Sequence, residues 1–366
     1  MSDDSICRWG LMSTANIGRK NWHSIKHSGN GQVTAVASRS LASGQEFIEQ
    51  CQSAAPFDQA PRAVEGYENL LKADDVDAVY IPLPTGIRKQ WVINAANAGK
   101  HVLCEKPCAT NADDLAEMIA ACKANNVQFM DGVMFMHSER LTKIKEVIKE
   151  LGELKRITSH FSFLGSGDFA ESNIRTSSEL EPLGCVGDLG WYNIRFALWV
   201  MDFQMPQQVI GRFLKQHQRG DCSDSVPIEI EGELHFEGGV TAAFYFSFVS
   251  GYEQWANISG TEGYLSVQDF VNPFAGPSTK FQMQHPARPV DERDFAMLEN
   301  GKTIVVDQPG SSGPHSQETN LFRNFGSTVL SGQVDEHWPN ISLHTQKIAD
   351  AVVASARQDS RPIVTV

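Results

Sequence analysis

Short apolar runs alternate with amphipathic stretches from the first residues onward, and this alternation restricts the possible folds more than any other feature. CRWGLMS is followed by IGRKNWHSIKHSG, then VTAVASR, then LASGQEFIEQCQ. Strands separated by helices build a parallel sheet, because parallel neighbours need a crossover long enough to bring the chain back. The series continues through VDAVYIPLP, IRKQWVINAANAG closed by Gly99, HVLCEKP, and NADDLAEMIAACKANN, for which Asn111 supplies an N-cap. A doubly wound α/β domain is expected over residues 1–126. After VQFMDGVMF and the charged helix SERLTKIKEVIKEL the texture changes. LKRITSHFSFLG, IEIEGELHFEG and VTAAFYFSFVS alternate at the strand period, which marks strands with one wet face. The expectation for residues 127–366 is an α+β domain on a large, mainly antiparallel open sheet. The Pro/Gly-rich stretch from Asn272 to Gly313 reads as loops.

Composition agrees with two domains of ordinary size, since 366 residues exceed what one core usually serves. No segment reaches the roughly 18 uncharged apolar residues of a membrane span, and MSDDSICRWG resembles neither a secretory signal nor a transit peptide. Cytoplasm is the simplest compartment. A net charge of -13 argues against nucleic acid and anionic membrane as partners, which demand clustered Lys and Arg. The expected partner is a small molecule. Cys7, Cys51, Cys104, Cys108, Cys122, Cys185 and Cys222 are odd in number and never in CxxC spacing, so reduced thiols are expected, with neither a disulfide framework nor a metal cluster.

In the first strand-to-helix turn, WGLMSTANIGRKNW sets Ser13, Ala15 and Gly18 where the glycines of GxGxxG would stand. The requirement there is a tight turn, close approach of backbone to pyrophosphate, and N–H groups at a helix start aimed at the anion. Ser13, Thr14, Ala15, Asn16 and Ile17 are the candidate cradle, although an ordinary strand-to-helix turn explains the same residues. The second apolar run ends at Arg39, 21 residues beyond Gly18, where dinucleotide folds keep the residue that reads the ribose. Ser38, Arg39 and Ser40 replace the acid that would repel a 2'-phosphate, and Arg39 can pair with that phosphate. NADP is therefore expected, with NAD possible.

HVLCEKP is a buried strand ending abruptly in an acid, a base and a proline. Glu105 and Lys106 thus fall where open α/β sheets bind ligands, and Lys106-Pro107 is a candidate cis bond. DAVYIPLPTGIRKQWVINAANAGKHVLCEKP and GCVGDLGWYNIRF resemble the glucose-fructose oxidoreductase / inositol dehydrogenase family over nearly the whole chain. Similarity is greatest to its dihydrodiol and xylose dehydrogenase branch and, through MDGVMFMHSERLTKIK, to a plant and bacterial group of uncharacterised oxidoreductases.

The resemblance implies a Rossmann first domain and a catalytic set made of Lys106, Asp188 and Tyr192. Asp188 and Tyr192 come from D-x-G-x-Y and are four apart, so on a helix they share a face. Tyr192 is the expected proton donor and acceptor. A phenol of pKa about 10 needs a neighbouring cation such as Lys106 to act as a base near neutrality, and Asp188 is expected to orient the substrate hydroxyl or Lys106. Pro82, Leu83, Pro84 and Thr85 are expected on the nicotinamide side, with Glu105 and Lys106. Arg175, His137 and Trp191 are the candidate substrate residues. Arg88 stands where the family commonly has histidine, and Ser138-Glu139 where the nearest group has His-Pro; both bear on substrate identity.

The implied activity is an NADP(H)-dependent hydride transfer to or from a secondary alcohol or carbonyl of a sugar, polyol or cyclic diol. The alternatives are NAD-mediated glycoside cleavage and a non-catalytic dinucleotide sensor. The family commonly dimerises through the outer face of its second sheet, which implies a homodimer or higher homo-oligomer.

Overall fold

The computed structural model describes residues 6–287, 298–310 and 313–365. The chain divides into two compact units, one of Met1–His137, Ser177–Pro182 and Ser312–Lys347, the other of Ser138–Thr176, Leu183–Ser311 and Ile348–Val366.

The first unit is built on strands β1 (Cys7–Met12), β2 (Gly31–Ser38), β3 (Arg62–Glu65), β4 (Ala78–Ile81), β5 (His101–Cys104) and β6 (Phe129–Asp131). Helices α1 (Asn16–Ser28), α2 (Leu41–Ala54), α3 (Tyr67–Leu71), α4 (Thr85–Asn97) and α5 (Ala112–Ala124) make the crossovers. All pairings are parallel, in the order β3-β2-β1-β4-β5-β6. Every residue of β4 is buried and β1 is nearly so, as expected of strands with helices on both faces. The order reverses between β1 and β4, so the C-terminal ends of these strands form the crevice in which such sheets hold ligands. Asn111 caps α5 as expected, accepting a hydrogen bond from the Asp114 N–H at 2.9 Å.

This unit differs in two ways from a domain ending at residue 126. Strand β6 pairs with β5 beyond that point, through Val102 and Phe129. The chain also returns near its end: helix Gln317–Ser331 brings Phe322 and Phe325 against the buried Trp9, with ring centroids 5.2 and 5.1 Å away. Arg323 secures it by donating to the carbonyl of Ser28 at 2.9 Å. An apolar face of the parallel sheet is thus covered by chain that follows strand Gly301–Val306 of the second sheet in sequence.

The second unit holds α6 (Glu139–Val147), β7 (Leu154–Leu164), α7 (Phe169–Ser172), α8 (Trp191–Val200), β8 (Gln208–His217), β9 (Val226–His235), β10 (Thr241–Ser247), β11 (Val249–Gly260), β12 (Tyr264–Val267), β13 (Thr279–Gln284), β14 (Gly301–Val306) and β15 (Ile363–Val364). Its nine strands run β14-β13-β12-β11-β7-β10-β9-β8-β15, antiparallel except for the β7–β10 pair. The buried helix α8 lies on one face, where Asn193 donates to Ser159 at 2.9 Å. The opposite face carries Arg156, His160, Arg212, Glu231, Tyr245 and Trp255 around a concavity of about 440 Å³. The loop expectation for Asn272 to Gly313 is corrected by the β13–β14 hairpin, although residues 288–297 and 311–312 lie outside the described residues. Strand β13 has the required alternation, with Thr279, Phe281 and Met283 buried, but only over six residues between Pro/Gly segments.

Among the described residues no helix is long and apolar enough to cross a membrane, and no cluster of His, Cys, Asp and Glu could hold a metal ion.

Candidate active site

Four strand-end turns of the first unit contain the expected cofactor residues. After β1 the chain turns at Ser13 with φ of +121°, a conformation that non-glycine residues rarely adopt and that glycine usually supplies at this step. The Ser13 hydroxyl braces the turn by accepting from the Ala15 N–H at 3.3 Å. Helix α1 starts at Asn16 with no side-chain cap among the described residues and no acid in its first turn, leaving Asn16 and Ile17 exposed at its positive end. The smallness of Gly18 serves packing instead, since a Cβ there would stand 3.2 Å from the Phe47 ring on α2. At the end of β2, Ser38 is buried and Ser40 caps α2 by accepting from the Ser43 N–H at 3.3 Å. Arg39, between them, is exposed.

The turns after β4 and β5 are tied together by one side chain. Arg88 on α4 is 3% exposed and donates to the carbonyl of Leu83 (2.9 Å from Nε), to that of Glu105 (2.8 Å) and to that of Pro107. Its guanidinium therefore holds the Leu83 turn against the Glu105-Lys106-Pro107 turn. The Lys106-Pro107 bond is cis, as expected. Glu105 faces inward and is fully engaged: it accepts from Tyr80 Oη at 2.6 Å and from the Lys106 N–H at 3.2 Å, and Tyr80 in turn accepts from Asn21 at 2.7 Å. Burial, reinforced by the Glu105 charge, pushes the Tyr80 phenol well above its usual pKa, so it remains a donor.

Two expectations change here. Arg88 is a buried brace, and Ser138 and Glu139 start α6, where the Gln308 side chain accepts from Ser138 Oγ at 2.6 Å and from the Glu139 N–H at 3.1 Å. Both departures from the family pattern are thus engaged in local architecture. Thr85, expected beside the nicotinamide, instead gives its hydroxyl to Glu181 at 2.6 Å and its N–H to the same carboxylate at 3.1 Å. Glu181 lies on the strap Ser177–Pro182, which joins this unit and rests on the start of α4. Gly86 donates to the Leu180 carbonyl at 2.8 Å, and a Cβ at Gly86 would stand 1.9 Å from the Glu179 oxygen. Pro82 and Leu83 are buried at the same strand end. His137 stacks on Trp338 at 4.5 Å and pairs with Asn324 through Nδ1 at 3.0 Å, so its ring is part of the packing around the returning helix.

In the second unit Asp188 falls in a π-helical turn, Val186–Gly190, that leads into α8. The expected α-helical spacing of Asp188 and Tyr192 is thereby altered, since a π-turn adds a residue to the turn and is frequent at functional sites. Arg175 donates from Nε to Asp188 at 2.7 Å, bringing two of the expected residues together. Tyr192 is 6% exposed, and its ring lies 5.7 Å from that of Phe161 on β7. Trp191 is 0% exposed; as the first residue of a helix buried along its whole length, its indole fills core.

Tyr80 and Glu181 were not singled out in the sequence, and Arg88 was marked only as a departure from the family pattern. Tyr80 left a trace, a polar-tipped ring inside the aliphatic run DAVYIPLP, which needs a partner when buried. Glu181 left none, because its partner Thr85 is 96 residues away.

The turn chemistry of β1–α1 and the braced Glu105-Lys106-Pro107 turn meet in the sequence comparisons. Residues 7–133 match the model for an oxidoreductase family with an NAD-binding Rossmann fold, and residues 141–266 match the GFO/IDH/MocA C-terminal domain. The chain belongs to the GFO/IDH/MocA oxidoreductase family. It is an enzyme of the dehydrogenase and reductase kind. It is 31% identical to D-xylose 1-dehydrogenase (NADP(+)) 2 of Haloferax volcanii over 95% of this chain and 97% of that one. It is 28% identical to the dTDP-3,4-didehydro-2,6-dideoxy-alpha-D-glucose 3-reductase of Actinomadura kijaniata, over 96% of both chains. A crystal structure of a 3-ketoreductase from Actinomadura kijaniata with NADP and TDP-benzene superposes with a TM-score of 0.78 at 25% identity, covering 96% of this chain and 98% of that one.

Proposed function

We propose that the protein is an NADP(H)-dependent oxidoreductase acting on a secondary alcohol or carbonyl of a sugar or polyol. The observation that carries the proposal is the Glu105-Lys106-Pro107 turn, placed at a strand's C-terminal end and braced from both sides by Tyr80 and Arg88. Rigid presentation of a lysine at that edge is what a positioned proton-handling group requires. The relatives named above, an NADP-dependent xylose dehydrogenase and a nucleotide-sugar ketoreductase, support the substrate class.

The residues present suit the dinucleotide. The backbone of Ser13, Thr14, Ala15, Asn16 and Ile17 would hold the pyrophosphate at an uncapped helix start, and the exposed Arg39 would pair with the 2'-phosphate. The dinucleotide supplies the hydride acceptor or donor when bound. Tyr192 takes the proton of the substrate hydroxyl in oxidation and returns it to the carbonyl oxygen in reduction. Lys106 is the cation proposed to stabilise negative charge on the reacting oxygen. Asp188, with Arg175 as its partner, orients the substrate hydroxyl. The solvent-facing concavity of the nine-stranded sheet, with Arg156 and Arg212 alternating with Glu231 and Glu233, suits a second copy of the chain, giving a homodimer.

The test is a panel of aldoses, polyols and trans-diols followed by nicotinamide absorbance with NADP and with NAD. Lys106→Met and Tyr192→Phe are each expected to lower kcat by roughly 100-fold or more, and Arg39→Ala to lower the NADP/NAD preference. Turnover untouched by both catalytic substitutions would overturn the assignment.

A further inference from the structure

The register of β11 against β7 breaks between Val249 and Glu253: Val249 opposes Leu164 and Glu253 opposes Ser162, so Ser250, Gly251 and Tyr252 stand opposite Phe163 alone. Bulges of this kind bend a strand and re-aim a side chain, and they recur beside active sites. This one is built firmly. Ser162 Oγ donates to the Gly251 carbonyl at 2.6 Å, fixing the bulged backbone to β7. Its product is Tyr252, an aromatic side chain left 59% exposed. A lone exposed tyrosine needs no explanation, but this one is held at both ends. Its ring meets Phe161 edge-on at 6.4 Å, and Asn272 Nδ2 donates to its hydroxyl at 3.3 Å. Asn272 is itself anchored, because the buried Gln254 accepts from its N–H and donates to its carbonyl, both at 2.7 Å. Phe161 also touches Tyr192, at 5.7 Å and again edge-on. Tyr192, Phe161 and Tyr252 thus form a continuous aromatic row leading from the proposed proton carrier to an open, pre-set ring.

We infer that Tyr252 is a platform for the apolar face of a pyranose ring, and so a specificity residue that favours cyclic sugars over open-chain polyols. The inference rests on the proposed sugar oxidoreductase function and names the form of substrate that this site takes. The C–H groups on one face of a pyranose offer a flat apolar patch, and a fixed aromatic ring matches it at little entropic cost, whereas an open chain must first be ordered. The hydroxyl of Tyr252, already bonded to Asn272, is secondary to the ring face.

The experiment measures binding of D-xylose and D-glucose to the NADP-loaded protein by titration calorimetry, alongside turnover of those sugars and of their open-chain polyols. Tyr252→Ala is expected to weaken sugar binding about 10-fold while NADP affinity is unchanged. Tyr252→Phe, which keeps the ring, is expected to bind within about threefold of the parent. The inference is overturned if Tyr252→Ala binds the sugars as the parent does, if Tyr252→Phe is as weak as Tyr252→Ala, or if the parent binds neither sugar. Sugar binding that depends on the Tyr252 ring without any turnover would sustain the platform and defeat the oxidoreductase reading. Turnover indifferent to Tyr252→Ala would do the reverse.

Discussion

Helices α1 and α4 start at the C-terminal ends of neighbouring strands in one sheet, yet they treat their first N–H groups in opposite ways. No described side chain caps α1, and the uncharged residues Ser13, Thr14 and Ala15 precede it. The start of α4 is closed by Glu181, which takes both the N–H and the hydroxyl of Thr85 while the strap Ser177–Pro182 rests on Gly86. Both ends have the dipole and the orphan donors that attract an anion. The protein supplies its own carboxylate at one and leaves the other to a ligand. In the proposed function, the filling of α4 directs the dinucleotide phosphates to α1 as much as the turn at Ser13 does.

The largest effect should come from making the two ends alike. Ala15→Asp places a carboxylate at the start of α1, and NADP affinity should fall roughly 100-fold by calorimetry. Unchanged affinity would place the phosphates elsewhere. Next is Arg88→Met, which removes the link between the β4 and β5 turns: kcat should fall about 10-fold or more, with NADP affinity little changed. Loss confined to NADP binding would show that Arg88 serves the cofactor rather than Lys106. Glu181→Ala uncaps α4 and should cost about 1 kcal/mol of stability, read by denaturant unfolding, without creating a second phosphate site. The smallest effect lies at the opposite edge of the sheet, where His101 Nδ1 accepts from the Gln128 N–H at 2.9 Å. Burial holds this imidazole below its usual pKa, against the pull of Asp77. Its folded value is below the unfolded one, so its stabilisation is present above about pH 6.5 and is lost as pH falls through that range. Tm should drop between pH 7.5 and 5.5, and His101→Asn should drop less.

The contrast between the two helix starts also separates what was legible in the residues from what was not. The order β1-α1-β2-α2 and β4-α4-β5-α5 followed from apolar periodicity, whereas β3 and α3, each five residues or fewer, were not read; the Asn111 cap and the Lys106 turn followed from local residue chemistry. The β13–β14 hairpin was missed because six alternating residues between Pro/Gly segments give too short a signal. Of Arg88 only its departure from the family pattern was visible, which left substrate identity open; its three carbonyl partners come from two separate turns. Trp191 looked available beside Tyr192, but adjacent helical residues point in different directions, and burial is a property of what packs on them.

By itself, then, the sequence determined the parallel α/β unit, the antiparallel sheet that follows, and the family motifs around Lys106 and Tyr192. Those properties rest on periodicity and on neighbours within a few residues. Only the tertiary structure decided that Glu181 would close α4, that Arg88 would brace two turns, that helix Gln317–Ser331 would return to cover Trp9, and that a bulge would expose Tyr252. Each of these depends on a partner distant in the chain, and pairwise distance in space leaves no periodic trace in a linear sequence.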